Sequence, residues 1–242
     1  TSIVKSSKNI NEQIKEIIET LTKNSKKSSY IRDGFKPIIP QNTKVIDVLL
    51  DNEILTINFS KELLNIDKDN EEKMIEAIIY SLTEIKEIKK IKILVENNPL
   101  TKLPNSQKKL PDYLDKNYGI NKIYNLDSIK ESTKTTIYYL SKFQDYHYFV
   151  PVTKINNEKT EKVEIIIKEL KSTPIYQTNL ISYLAASANI TNYELLENGI
   201  KLSFNNYLIA NIKEEEALEE VKYSIALSLR DTYGINEVIF SI

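Results

Sequence analysis

Ile88-Lys89-Lys90-Ile91-Lys92-Ile93-Leu94-Val95 and the last eight residues, Ile235-Asn236-Glu237-Val238-Ile239-Phe240-Ser241-Ile242, carry the same apolar skeleton. Ile88, Ile91, Ile93 and Val95 match Ile235, Val238, Phe240 and Ile242 at a constant offset of 147, and Leu82 and Leu229 keep it. Further upstream, Ile57 and Phe59 match Leu202 and Phe204 at 145, while Ile14, Ile17, Ile18 and Leu21 match Val163, Ile166, Ile167 and Leu170 at 149. Any two amphipathic segments can produce one such match. Four in the same order mark an internal repeat whose copies differ by small loop insertions.

Each copy opens with apolar residues at spacings of three and four, one stripe of a helix. Two short runs of period-two character follow, 44–50 and 53–60 in the first copy, where Leu55, Ile57 and Phe59 alternate with Thr56, Asn58 and Ser60. They predict a hairpin, with Glu197-Asn198-Gly199 as the turn of the second copy. A second helix is expected from about Glu71, with Asp69 and Glu72 forming a capping box, and from about Glu214 in the second copy. A last strand, 91–95 or 238–242, closes the unit. In the second copy a strand around Tyr146 to Thr153 precedes the first helix, and another at Thr135 to Leu140 could pair with it; Pro151 belongs at an edge or a bulge, because it has no N–H for a ladder. Of this leading strand the first copy keeps only a stub near Ile3. The fold class is therefore α+β, two tandem two-layer sandwiches of order β-α-β-β-α-β, with helices on one face of a small sheet. The expected domains are 1–98 and 135–242, joined by an extended connector at 99–134 that contains Pro99, Pro104 and Pro111.

Length and composition agree with this division. The chain has 242 residues, 41% hydrophobic and 28% charged, enough for a core in each half. Lys+Arg 33 against Asp+Glu 34 leaves a net charge of -1, so no global field draws it to nucleic acid or an anionic membrane. The balance is uneven locally: residues 1–36 hold eight basic and four acidic side chains, whereas Glu214, Glu215, Glu216, Glu219 and Glu220 form one acidic run. Solvated faces and favourable charges at helix starts are the plain reading, and electrostatic docking between neighbouring copies is the sharper one. Cys 0 removes disulfides, thiolate metal sites and cysteine nucleophiles together. No run approaches the roughly 18 apolar residues of a membrane span. The sequence opens on Thr1 rather than Met, so its natural N-terminus is expected to lie upstream, where an anchor would not be seen.

The chemistry-bearing residues are few. His147 is the single histidine, a count that excludes a triad or a His-rich zinc site unless a partner chain contributes, and its strand-like Tyr146-His147-Tyr148-Phe149 run favours a structural or exposed ring over a catalytic base. Asp67, Asp69 and Glu71 begin like a calcium loop, but position 6 is Glu72 where Gly is needed and position 12 is Ile78 where Glu is needed. Gly 4, none in a phosphate-cradling pattern, argues against a nucleotide site. Paired carboxylates are not excluded by residue type, but domains this small lack the loops for a deep cleft. Tyr 15 against Trp 0 is a bias, and Tyr138, Tyr139, Tyr146 and Tyr148 cluster on two strands, suited to packing first and to an interface or a glycan platform second. No catalytic, cofactor-binding or metal-ligating residue, no cofactor and no enzyme activity is expected.

The ordered motifs resemble the GerMN-domain family of sporulation and germination lipoproteins. Tyr148-Phe149-Val150-Pro151-Val152-Thr153-Lys154 is similar to its strand ending in Val-Pro-Val-Thr-basic, and Leu170-Lys171-Ser172-Thr173-Pro174 to its Leu-x-x-Gly-Pro end of the first helix. Ile39-Pro40-Gln41-Asn42-Thr43-Lys44-Val45 stands at the hairpin entry, Thr56-Ile57-Asn58-Phe59-Ser60 in the next strand, and Tyr80-Ser81-Leu82-Thr83-Glu84 in the second helix. Leu103-Pro104 and Tyr118-Gly119-Ile120-Asn121 resemble the family's connector. Thr173 replaces the usual Gly, the Gly after the last strand is replaced near Asn97, and the second copy is weak around 175–190. The resemblance implies a non-catalytic scaffold similar to the ring-building motif of secretion-system rings. It implies a lipid-anchored protein outside the cytoplasm, between mother cell and forespore, that supports a channel complex through contacts with other proteins of that complex or with itself. No nucleic acid is expected as a partner, and membrane only through the anchor. A peptidoglycan-binding or glycan-trimming envelope module is the alternative from the Tyr cluster and abundant acids.

Overall fold

The computed structural model describes residues 9–127, 131–172, 179–208 and 217–241, and divides into two units, Thr1–Ile120 and Asn121–Ile242. In the first unit Asn9 caps helix α1 (Ile10–Leu21), its side chain accepting from Asn11 N at 2.9 Å. The helix buries Ile14 and Ile18. Strands β1 (Val45–Asp51) and β2 (Ile54–Phe59) then form an antiparallel hairpin whose two turn residues, Asn52 and Glu53, have φ of 47° and 62°. Positive φ at both positions matches the twist of the flanking strands. Helix α2 (Lys68–Leu82) carries the chain across to β3 (Lys90–Val95), which lies parallel to β2 with Ile57 opposite Ile93. A short return, β4 (Asn98–Pro99), completes the order β1-β2-β3-β4. Leu55, Ile57 and Phe59 from β2 meet Ile75, Ile78, Ile79 and Leu82 from α2 in one buried cluster, which is why both patterns had to be present in the sequence.

The second unit starts with β5 (Ile123–Asn125), β6 (Thr133–Phe143) and β7 (Tyr146–Asn156), followed by α3 (Lys162–Lys171) and β8 (Leu180–Ile181). The repeat then runs through β9 (Ile190–Leu196), β10 (Gly199–Phe204), α4 (Glu219–Tyr233) and β11 (Glu237–Ser241). Again the hairpin is antiparallel and the strand after the helix is parallel to its neighbour, Leu202 facing Phe240. These are the residues that the sequence offsets pair with Ile57 and Ile93. Even a connecting hydrogen bond recurs: Lys89 N donates to Glu53 O at 2.9 Å, and Asn236 N to Asn198 O at 3.1 Å.

The α+β class and the tandem repeat expected from the sequence are both present; several local details differ. Strand β7 leads the second copy as expected, yet it pairs with β6 over eleven residues in a sheet of order β5-β7-β6-β8, separate from β11-β10-β9. The reason is in β6, which offers β7 a partner of equal length closed by a two-residue turn with Gln144 at φ 53°. Helix α4 then covers the β6 edge: Ser228, fully buried, accepts from Tyr138 N at 2.9 Å and donates to Ser224 O at 2.6 Å. A small hydroxyl residue lets the helix approach and satisfies an edge N–H that no strand takes. Because Tyr138 N points away from β7, its partner Pro151 also has its ring nitrogen on the outer side, where the ladder needs no donor. Pro151 thus sits at an edge, with its carbonyl receiving Asn121 Nδ2 at 2.9 Å.

Helix α2 begins at Lys68, three residues earlier than expected, with Asp67 at its N-cap and no side-chain cap bond, so the Asp69/Glu72 capping box is absent. Helix α4 begins at Glu219 rather than near Glu214; Glu219 and Glu220 occupy its first turn, and Glu214, Glu215 and Glu216 lie outside the described residues, as do Ile3 and Thr173. The stretch expected to be connector is shared by the two units. Leu103, Leu110 and Leu114 bury themselves in the first core; their spacings of seven and four imitate a helical stripe, but Pro104 and Pro111 fall within it and no helix forms there. The missing Gly after β3 is accounted for by Asn97, which adopts φ 65° and is held there by Asn58: Asn97 N donates to Asn58 Oδ1 at 3.0 Å and Asn58 Nδ2 to Asn97 Oδ1 at 2.8 Å.

Gly199 begins β10 against the backbone of β11, where an added Cβ would lie 2.9 Å from Glu237 O. Gly199→Ala is expected to destabilise the second unit by about 1–3 kcal/mol, read as a lower urea midpoint for that unit's transition.

Candidate functional site

The residues singled out for chemistry are not brought together. His147 is exposed on β7 opposite Lys142, near the end of the β6–β7 hairpin. Asp67, Asp69 and Glu71 lie on the first turn of α2 and its cap, and Glu71 turns inward instead of toward an ion. Its carboxylate accepts from Asn105 N at 2.8 Å and Ser106 N at 2.9 Å, while Asn105 Nδ2 donates to Ile66 O at 2.7 Å. Lys108 adds an ion pair to Glu72 at 2.9 Å. The acidic start of α2 is therefore a clamp for the loop 104–108. Burial alone would raise the Glu71 pKa, but the hydrogen bonds from Ser106 and Asn105 outweigh it and hold the carboxyl below its ordinary value.

In the second unit the Tyr cluster divides. Tyr138, Tyr139 and Tyr148 are buried, and only Tyr146 is exposed, at 55%. The Tyr139 hydroxyl reaches Glu169 Oε2 at 3.4 Å, and the Lys154 ammonium donates to the same oxygen. Burial first, and then the Glu169 charge, push the Tyr139 hydroxyl well above its ordinary pKa, so it stays a neutral donor. Tyr138 donates to Asp231, beside which Arg230 Nε lies at 3.1 Å. These polar groups tie β6 and β7 to α3 and α4. No sequence spacing announced them, because the partners lie far apart along the chain and any Lys or Glu would have looked the same.

A depression of about 130 Å³ is lined by Leu170, Lys171, Ser172, Leu180, Ile181, Ser182 and Leu184. Ligand pockets are usually at least about 300 Å³, so this one suits a few waters better than a sugar or a nucleotide. What the described residues do present is apolar surface on outer strands. On β1, Leu49 is 61% exposed and Ile46 is exposed too; on β9, Leu195 is 58% exposed and Leu196 is exposed too. Both strands are paired on one side only in the sheet orders, so each also offers unpaired backbone groups.

Two α-β-β-α-β units, with Glu71, Tyr138, Tyr139 and Tyr148 spent on packing and their outer strands bearing apolar side chains, define a tandem α+β protein. Residues 1–101 match the Germane family, described as sporulation and spore germination. The chain is 26% identical over 230 residues, 93% of its length, to the spore germination protein GerM of Bacillus subtilis strain 168, and spans 63% of that protein's length. The solved tandem GerMN domains of the sporulation protein GerM from Bacillus subtilis share its fold with a TM-score of 0.86, at 24% identity, over 94% of this chain and 80% of that one. The resemblance to tandem GerMN domains read from the sequence is thus borne out. These relatives are named as sporulation or germination proteins, not as enzymes.

Because its folded pKa is depressed, Glu71 stabilises the first unit above the ordinary carboxylate value of 4.5, and that contribution is lost as pH falls through the lower folded value. The stability gap between the wild type and Glu71→Gln, measured by urea unfolding at a series of pH values, is expected to be full above that point and to close in acid.

Proposed function

We propose that this chain is a non-catalytic assembly protein of sporulation that supports a channel complex between mother cell and forespore through protein–protein contacts. The observation that carries the reading is the apolar outer surface of β1 and β9, with Leu49 and Leu195 both more than half exposed, in a chain similar over most of its length to a protein named for spore germination. Physically, two similar units in series can place one face against a different face of a neighbour, the kind of contact that builds rings and filaments. Open strand edges add backbone hydrogen bonds to such a contact. The setting that fits is outside the cytoplasm, with an N-terminal lipid anchor holding the protein near its partners, which include other proteins of the complex and further copies of the chain. No helix among the described residues is long and apolar enough to cross a membrane.

A second reading, a peptidoglycan-binding envelope module, is favoured by Phe143 and Tyr146, which face each other across the end of the β6–β7 hairpin and are both exposed. Retention on purified cell wall separates the two. The assembly reading expects no retention, whereas the wall reading expects retention that Tyr146→Ala abolishes; Tyr148 is buried, so its substitution would report on folding instead.

For the leading reading, Leu49→Asp and Leu195→Asp replace exposed side chains and are expected to change stability by about 0.5 kcal/mol or less. Returned to sporulating cells that lack the gene, the pair is expected to lower spore yield at normal protein level. Spore yield equal to that of the wild type would remove these strands from any assembly contact.

A further inference from the structure

We propose that the closed loop of residues 23–37 in the first unit is a docking element for an anionic bilayer surface. The loop leaves and rejoins the fold at one place. Lys23 N donates to Ile39 O at 2.9 Å, and Ile38 N and Ile39 N both reach Leu21 O at 2.9 Å, so its two ends are tied together at the end of α1. Internal bonds then hold it in shape: Ser25 Oγ donates to Glu19 O, Ser28 N to Ser25 Oγ at 2.9 Å, Tyr30 N to Lys27 O at 2.9 Å, and Phe35 N to Arg32 O at 3.1 Å. Whatever the loop carries is concentrated at one end of the unit.

It carries Lys23, Lys26, Lys27, Arg32 and Lys36 against a single acid, Asp33. From the helix packed beside it, Glu16 and Glu19 face Lys27 at 2.8 and 3.6 Å, so that one cation serves to pin the loop to α1. Lys26, Arg32 and Lys36 are exposed. Between these cations stand two rings turned to solvent, Tyr30 at 58% and Phe35 at 41% exposure. Cations alone would suit any soluble polyanion. Rings interleaved with cations suit a bilayer interface, where the charges meet lipid phosphates and the rings enter the headgroup boundary.

The repeat supplies an internal control. The connection between the same two elements in the second unit, residues 172–189, contains no Lys, Arg, Asp or Glu. Joining the first helix to the hairpin therefore does not require charge, and the basic loop is an addition peculiar to the first unit. With a chain net charge of -1, the attraction is local and is screened within about 8 Å at physiological salt.

The test is flotation of the purified chain with vesicles of phosphatidylcholine alone or mixed with phosphatidylglycerol, with soluble polyphosphate as a competitor. The proposal expects flotation with the anionic vesicles only, lost in high salt, and little affected by polyphosphate. The variant Lys26→Ala/Arg32→Ala/Lys36→Ala is expected to weaken binding by about fivefold per charge removed. Tyr30→Ala/Phe35→Ala is expected to weaken it by roughly tenfold while keeping the charge. Circular dichroism and thermal midpoints matching the wild type show that these exposed substitutions leave the fold intact. The proposal is overturned by absence of flotation, by equal flotation with neutral vesicles, by variants that float like the wild type, or by polyphosphate that displaces the chain completely at charge parity.

Discussion

Parallel pairing of two consecutive strands, joined by a crossover helix, is the constraint on which each unit depends. Strands β2 and β3, like β10 and β11, run the same way, so the chain must return along the sheet between them, and a helix makes that return. The helix has to lie on the sheet, and it closes the core only if one of its faces is apolar. Leu82 and Leu229, both fully buried, occupy the same place in the two crossings. Once this crossing is made, the hairpin partner falls on the far side of β2 or β10 and remains an edge. The surface that the functional reading uses is thus a consequence of the topology.

The second unit shows how one framework accepts additions. Its α4 packs against both the repeat sheet and the β6 edge, and the contact with β6 depends on Ser228 being small and able to accept an N–H. Between the strands and α3, Tyr139, Lys154 and Glu169 form a nearly closed polar group, Lys154 and Glu169 having side chains only 15% and 14% exposed. A buried pair of this kind contributes little net stability but is costly to break, so it specifies how α3 sits on the strands. In the first unit the corresponding role of joining distant segments falls to Glu71, which gathers two successive backbone N–H groups.

Much of the fold was legible because the signals were periodic and occurred twice. The stripe Ile14, Ile17, Ile18, Leu21 and the alternation Leu55, Ile57, Phe59 each state a local geometry, and their recurrence at nearly fixed offsets states which elements are equivalent. What was not legible depended on single residues acting at a distance. Nothing in Leu103, Leu110 and Leu114 reveals that 99–120 joins the first core, since Pro104 and Pro111 break the helical stripe that spacings of seven and four would otherwise announce. Nothing in Asp69 and Glu72 distinguishes a capping box from a helix that starts at Lys68. The exposed and buried tyrosines could not be told apart in a strand where Tyr138 and Tyr139 are adjacent, because both faces turn out to be covered. Legibility was least at the candidate surfaces: exposure is a property of the finished fold, and Leu49 and Leu195 look like core residues until the sheet order leaves them outside.

The claim that unites these findings is that both halves close by the same register, Ile57 against Ile93 and Leu202 against Phe240. Cross-strand nuclear Overhauser contacts in the isotope-labelled full chain measure it most directly. The account predicts parallel-sheet contacts linking Leu202 with Phe240 as well as Ile57 with Ile93. An antiparallel pattern between β10 and β11, or a register shifted by one residue in either unit, would contradict it.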